Sequence, residues 1–264
     1  MTTRQGAEIE PAGLLAAADE ALIEAAFCTG EFDEARSLAE QAARSAAERG
    51  DRAGEAAAAV IYGHVLHYLN ITGIIEGRKP DPRDEAAELA QFERAAALCE
   101  ELGDEVGLAR AAFGAGVHAQ VLRDDWDAAM AAYRRAESLI PALELAGDLY
   151  TRSEIHRHLG FYHLVAEPQP KVAVEHLRIS LELRERQGEP RRIPSGLTAL
   201  AWAERAAGDP ARAVELARRA VELSRAAGLR PTWIADAENE LALAEAALAA
   251  ADPGPGGETA SGAV

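Results

Sequence analysis

Leu197–Gly228, LTALAWAERAAGDPARAVELARRAVELSRAAG, reads as two amphipathic helices joined by a tight turn. In its second half Ala213, Leu216, Ala217, Ala220 and Val221 fall at i, i+3, i+4, i+7 and i+8, one face of a helix. Leu197, Leu200 and Ala201 repeat the pattern in the first half. Gly208-Asp209-Pro210 separates the two. Asp209 can accept from a free amide of the new helix, and Pro210 suits the first helical position, where no donor is lost. The alanines let the two helices approach closely while larger residues fill the next layer.

Weaker copies of this hairpin recur along the chain. Thr29-Gly30-Glu31-Phe32-Asp33-Glu34-Ala35 joins a helix over 14–28 to one over 35–49. Asp81-Pro82, Asp124-Asp125-Trp126-Asp127-Ala128-Ala129 and Glu167-Pro168-Gln169-Pro170 mark further turns. The turn alanines are read as Ala35, Ala87, Ala129, Ala173 and Ala213, spaced 52, 42, 44 and 40 apart. Residues 231–250 form one more amphipathic helix without a partner. On these motifs the chain resembles the tetratricopeptide repeat (TPR) family over residues 12–250, with helices longer than its period of about 34 residues requires. The resemblance implies an all-α, right-handed α-solenoid of about five stacked hairpins plus a capping helix, about eleven helices in all. A lead-in over 1–11 and a disordered tail over 251–264 flank it.

The long first spacing, 52 residues, isolates an insert in the second repeat at about 70–82, with Ile71, Ile74 and Ile75 among glycines and prolines. Either the preceding helix runs on for a turn or two, or an ordered loop is present. The isoleucines suit a lid or contact surface, or a cover for the neighbouring hairpin.

Composition bounds the function. The chain has 264 residues and a formal net charge of −17. Nucleic acid is held mainly by Lys and Arg on phosphates, so it is not an expected partner, and an anionic membrane is disfavoured on the same ground. Cys28 and Cys99 form no CxxC pair, so neither a zinc signature nor a disulfide framework is present. With no apolar leader at the start, a cytoplasmic protein is expected.

In the TPR family the first helix of each hairpin lines a concave groove. Carried onto this chain, that places Glu24, His64, His67, His118, Arg157, Phe161, Trp202 and Arg205 as the ligand-binding set. His64 and His67 share a helical face, and His118 can join them from the next hairpin. Trp202 offers wide apolar area as an anchor, and imidazoles add hydrogen bonds and a charge switch. A clamp for a chaperone's C-terminal carboxylate is not expected, because Glu24, His64, His118, Phe161 and Trp202 stand where that clamp has Lys, Asn and Arg. No HExxH, GxSxG, GxxxxGK[ST] or strand-borne GxGxxG occurs, so neither a metal, a cofactor nor an enzyme activity is expected. The reading is a scaffold that binds a peptide or protein segment. The alternative is a small-molecule sensor or atypical enzyme whose histidine- and aromatic-lined groove is closed by the 70–82 insert.

Overall fold

Short acidic caps and helix-opening prolines divide the chain in the computed structural model, which describes residues 10–251. The helices are α1 (Pro11–Glu24), extended by a π-helical turn at Ala25–Thr29, α2 (Asp33–Arg49), α3 (Arg52–Ile75) and α4 (Pro82–Leu102). Next come α5 (Glu105–Arg123), α6 (Trp126–Ser138), α7 (Ile140–Leu145) and α8 (Leu149–Val165). The last four are α9 (Pro170–Gln187), α10 (Ile193–Ala207), α11 (Pro210–Ala226) and α12 (Pro231–Ala251). The fold is all-helical, with no strand among the described residues. The expected lead-in and tail, apart from their inner ends, lie outside the described residues.

The side-chain oxygens of Asp51, Asp81, Asp104, Asp125 and Asp209 accept from amides in the first turns of α3, α4, α5, α6 and α11. Each satisfies one of the donors that a helix start leaves open. Pro82 and Pro210 stand at the beginnings of their helices, where a missing N–H costs nothing. At the α5–α6 turn Asp124 adopts a left-handed conformation, φ 51°. Its short polar side chain tolerates that region, and the turn leaves Asp125 free to cap α6.

Two parts of the path differ from expectation or resolve it. The first half of the 70–82 insert is helix, because α3 continues through Ile75, and 76–81 form a short loop before α4. Ile74 and Ile75 are exposed on this extension. Among the described residues twelve α-helices stand where about eleven are expected, the addition being the six-residue α7. Pro141 opens it, and Leu143 is fully buried beneath it.

The chain forms two compact units, divided between Leu159 and Gly160. In the first, each helix from α1 to α6 packs on the next. There α3 also touches α1 and α5, and α5 touches α7. In the second, α9 to α12 pack in succession and α10 also meets α12. The core of the second unit gathers Leu177, Leu181, Leu197, Leu200, Leu216 and Val221 around Ala201, Ala217 and Ala220.

The second helix of each hairpin buries one stripe with a shared spacing. The stripe is Ala35, Ala39, Ala42 and Ala46 in α2, and Ala129, Tyr133 and Ala136 in α6. It is Ala173, Leu177, Ser180 and Arg184 in α9, and Ala213, Ala217, Ala220 and Ser224 in α11. In α4 it is Glu88, Phe92, Ala95 and Cys99. Ala87 is only partly buried, so the register of this hairpin sits one residue further on than the turn alanines suggest. A fully buried carboxylate therefore stands where the other four hairpins have alanine.

The Phe92 ring is accommodated by missing side chains. A Cβ on Gly63 of α3 would come within 2.6 Å of the ring, and one on Gly114 of α5 would come closer still. Among the described residues only α3 is long and apolar enough to cross a membrane, and more than half of its most apolar stretch is buried inside the protein.

Candidate functional site

Glu88 is the centre of a polar cluster built by three helices of the first unit. Its α4 stripe turns the side chain inward, where it has no solvent exposure. His67 and Asn70 lie three apart on α3 and so share a face. His67 Nδ1 lies 2.8 Å from Glu88 Oε1, and Asn70 Nδ2 donates to Oε2 at 2.9 Å. From α5, His118 Nδ1 lies 3.3 Å from the same Oε1. It has no well-aligned hydrogen bond to any other group.

The charge of Glu88 follows from this surround. Burial pushes the carboxyl's pKa up. The opposing pull of the His67 charge and of the polar contacts from His118, His67 and Asn70 is greater and brings it down to about 2. Glu88 is thus an anion at neutral pH. An anionic carboxylate offers only lone pairs, so a ring nitrogen directed at it must carry hydrogen. The two Nδ1 atoms lie 2.8 and 3.3 Å from one oxygen, and of the two only the His67 contact is aligned as a hydrogen bond. No group of three or more His, Cys, Asp or Glu among the described residues is arranged to hold a metal ion.

His118 also belongs to the wall of an open cleft of about 610 Å³. α4 contributes Pro82, Glu85, Ala86 and Leu89. Ala115, His118, Ala119 and Arg123 come from α5, and Asp125, Ala128 and Ala132 from the start of α6. The alanines of three helices give the cleft its width. At its rim Arg123 pairs with Glu85 at 2.7 Å, with the arginine side chain well exposed. An exposed pair of this kind contributes at most about 1 kcal/mol and is readily opened by a competing charge.

A second buried polar group lies nearby in the first unit. Tyr133, fully buried, donates to Gln120 Oε1 at 2.6 Å, and His158 Nδ1 lies 2.8 Å from the same oxygen. Burial, and then the Glu154 charge, push the tyrosine well above its ordinary pKa. The phenol therefore stays a neutral donor.

The remaining expected site residues fall in different surroundings. His67 and His118 are buried and meet at Glu88, while His64 packs against the rings of Phe92 and Phe113, with centroids 5.1 and 6.0 Å away. Glu24 is exposed on α1, and Arg157 is half-buried on α8. In the second unit Phe161 and Trp202 are both half-buried, with ring centroids 5.9 Å apart. Arg205 forms a two-pronged pair with Glu240 at 2.8 and 2.9 Å.

Glu88, Asn70 and the Tyr133–Gln120–His158 group were not singled out by the sequence. One signal for Glu88 was present. It lies four residues before Phe92, seven before Ala95 and eleven before Cys99, on the apolar stripe of its own helix. No protein-family model matches this chain, and no curated protein is similar to it.

Proposed function

We propose that this chain is a cytoplasmic TPR-like scaffold, a right-handed helical-repeat protein that docks a peptide or protein segment in the cleft between α4 and α6. The observation that carries this reading is the cleft itself, open along one side and floored by small side chains of α5. An open, shallow, alanine-lined trough suits an extended or helical segment, whereas a small molecule is better held by enclosure. Charge selects the segment. Glu85 and Asp125 line the cleft together with Arg123, which pairs with Glu85, and the whole chain carries −17. A segment with an apolar face and basic residues fits this surface and is steered towards it.

The test is selection of peptides from a displayed random library on the full chain, followed by affinity measurement on Ala128→Trp. Ala128 is exposed, so the indole fills the cleft without entering the core. Selected peptides should be rich in Lys or Arg and lose at least about tenfold in affinity, the loss expected when an anchor pocket is blocked. Peptides that bind the variant as well as the parent would refute this site.

A further inference from the structure

The buried carboxylate of Glu88 stands in the hairpin with the longest turn. The equivalent residues Ala35, Ala129, Ala173 and Ala213 are fully buried alanines. The segments that lead into their helices, α2, α6, α9 and α11, are 30–32, 124–125, 166–169 and 208–209. A short connection fixes where the next antiparallel helix begins. The segment that leads into α4 is the longer 76–81, exposed except at Pro80 and passing through Gly77 at φ 78°. It constrains the start of α4 less. That start is one wall of the cleft, through Pro82, Glu85, Ala86 and Leu89.

Glu88 supplies the constraint from behind that wall. It lies within one turn of both Glu85 and Leu89, yet is not among the residues that line the cleft and has no solvent exposure. Its two oxygens are used separately. Oε1 lies 2.8 Å from His67 Nδ1, and Oε2 accepts from Asn70 Nδ2 at 2.9 Å. Two directional contacts to one face of α3 fix the rotation of α4 about its own axis and its height along α3. Apolar burial is non-directional and fixes neither as sharply. Two more exposed pairs reach the same turns, Arg36–Asp84 at 3.8 Å and Arg123–Glu85 at 2.7 Å, and pairs of that kind hold little.

We propose that Glu88 is a positioning residue for the cleft. Its bridges to His67 and Asn70 set where the α4 wall stands opposite α6, and thereby how tightly a segment docks. The placement of the wall stands on the fold alone. The consequence for affinity rests on the docking role of the cleft.

The test measures the width of the cleft with nothing bound. Spin labels are attached through Ala90→Cys on α4 and Ala131→Cys on α6, both exposed and outside the cleft lining. The half-buried Cys28 is changed to Ser, and Cys99 stays unlabelled because it is buried. The parent should give one narrow distance distribution. The key variant combines His67→Leu, Asn70→Leu and Glu88→Met. Apolar residues of similar size in place of a buried polar cluster commonly preserve stability. Its melting temperature should match or exceed that of the parent, while the distance distribution broadens or shifts. Affinity for the tightest library-selected peptide should fall by about fivefold or more, a usual size for a residue that acts without touching the ligand. Lower affinity at level stability is the result that a merely structural role does not give. Asn70→Leu alone keeps the His67–Glu88 contact and covers failure of the triple variant to fold. It should move both readouts in the same direction by less. Ala213→Leu, a destabilised control in the second unit, should move neither. An unchanged distance distribution in the folded triple variant, or in Asn70→Leu where the triple variant does not fold, would overturn the proposal. The distances are read with nothing docked, so their failure leaves peptide docking standing. Peptides that bind Ala128→Trp as well as the parent refute docking at this site and leave the distances unaffected.

Discussion

His67 Nδ1 and Glu88 Oε1 lie 2.8 Å apart, joining α3 to α4 through a carboxylate that no solvent reaches. The pair adds a fully buried charge to a hairpin contact that also carries the Arg94–Glu55 ion pair at 2.7 Å.

Stability should therefore depend on acid. The Glu88 carboxyl is held at about 2, below the ordinary value of 4.5. A depressed carboxyl contributes stability that is complete above 4.5 and is lost as pH falls from there towards 2. The contribution is on the order of 3 kcal/mol. Urea unfolding at pH 7 and pH 3 should show this loss, and Glu88→Gln should reduce the difference between the two.

Removing the carboxylate should cost more than removing a rim charge. Glu88→Ala leaves two imidazoles and an amide without their acceptor, a loss of about 3–5 kcal/mol for breaking a buried pair. Glu85→Ala, at the exposed pair with Arg123, should cost less than about 1 kcal/mol. Chemical denaturation of the two variants checks the contrast.

The register makes an independent prediction. Ala129→Leu and Ala213→Leu add bulk at positions with no exposure and should each cost about 1–3 kcal/mol. Ala87→Leu should be nearly neutral, because that residue is only partly buried. Equal melting temperatures for all three would show that the shared stripe has been misplaced.

Gly114→Ala should destabilise by about 1–3 kcal/mol, since its new methyl meets the Phe92 ring. Phe92→Leu in the same chain should recover part of that loss. Thermal melts of the single and double variants measure the coupling.

Trp202 separates two uses of an aromatic side chain. It packs on Phe161 in the second unit, and neither residue is among those that line the cleft. Trp202→Ala should lower stability by about 1–3 kcal/mol through lost packing and leave affinity for selected peptides unchanged. A loss of affinity with an unchanged melting temperature would instead make Trp202 the anchor that the sequence reading expects.

Helix boundaries were legible because they rest on local chemistry. Asp209-Pro210 and Asp81-Pro82 announce helix starts, and the alanine spacing announces hairpins. The short α7 escaped because six residues hold too little periodicity to stand out. Glu88 escaped because a charged residue on an apolar stripe is read as a turn residue until its neighbours Phe92, Ala95 and Cys99 set the phase. His67 and His118 could be grouped through the stacking of neighbouring hairpins that the repeat resemblance implies, but the group that joins them lies on a third helix. The cleft depends on how far α4 and α6 stand apart, a tertiary quantity that no residue pattern carries.

The most direct measurement of the docking role is a backbone chemical-shift map of the full chain titrated with a library-selected peptide. The account predicts saturable shifts concentrated at residues 82–89, 115–123 and 125–132, and their loss in Ala128→Trp. Shifts centred on Phe161, Trp202 and Arg205, with residues 82–132 unmoved, would contradict it.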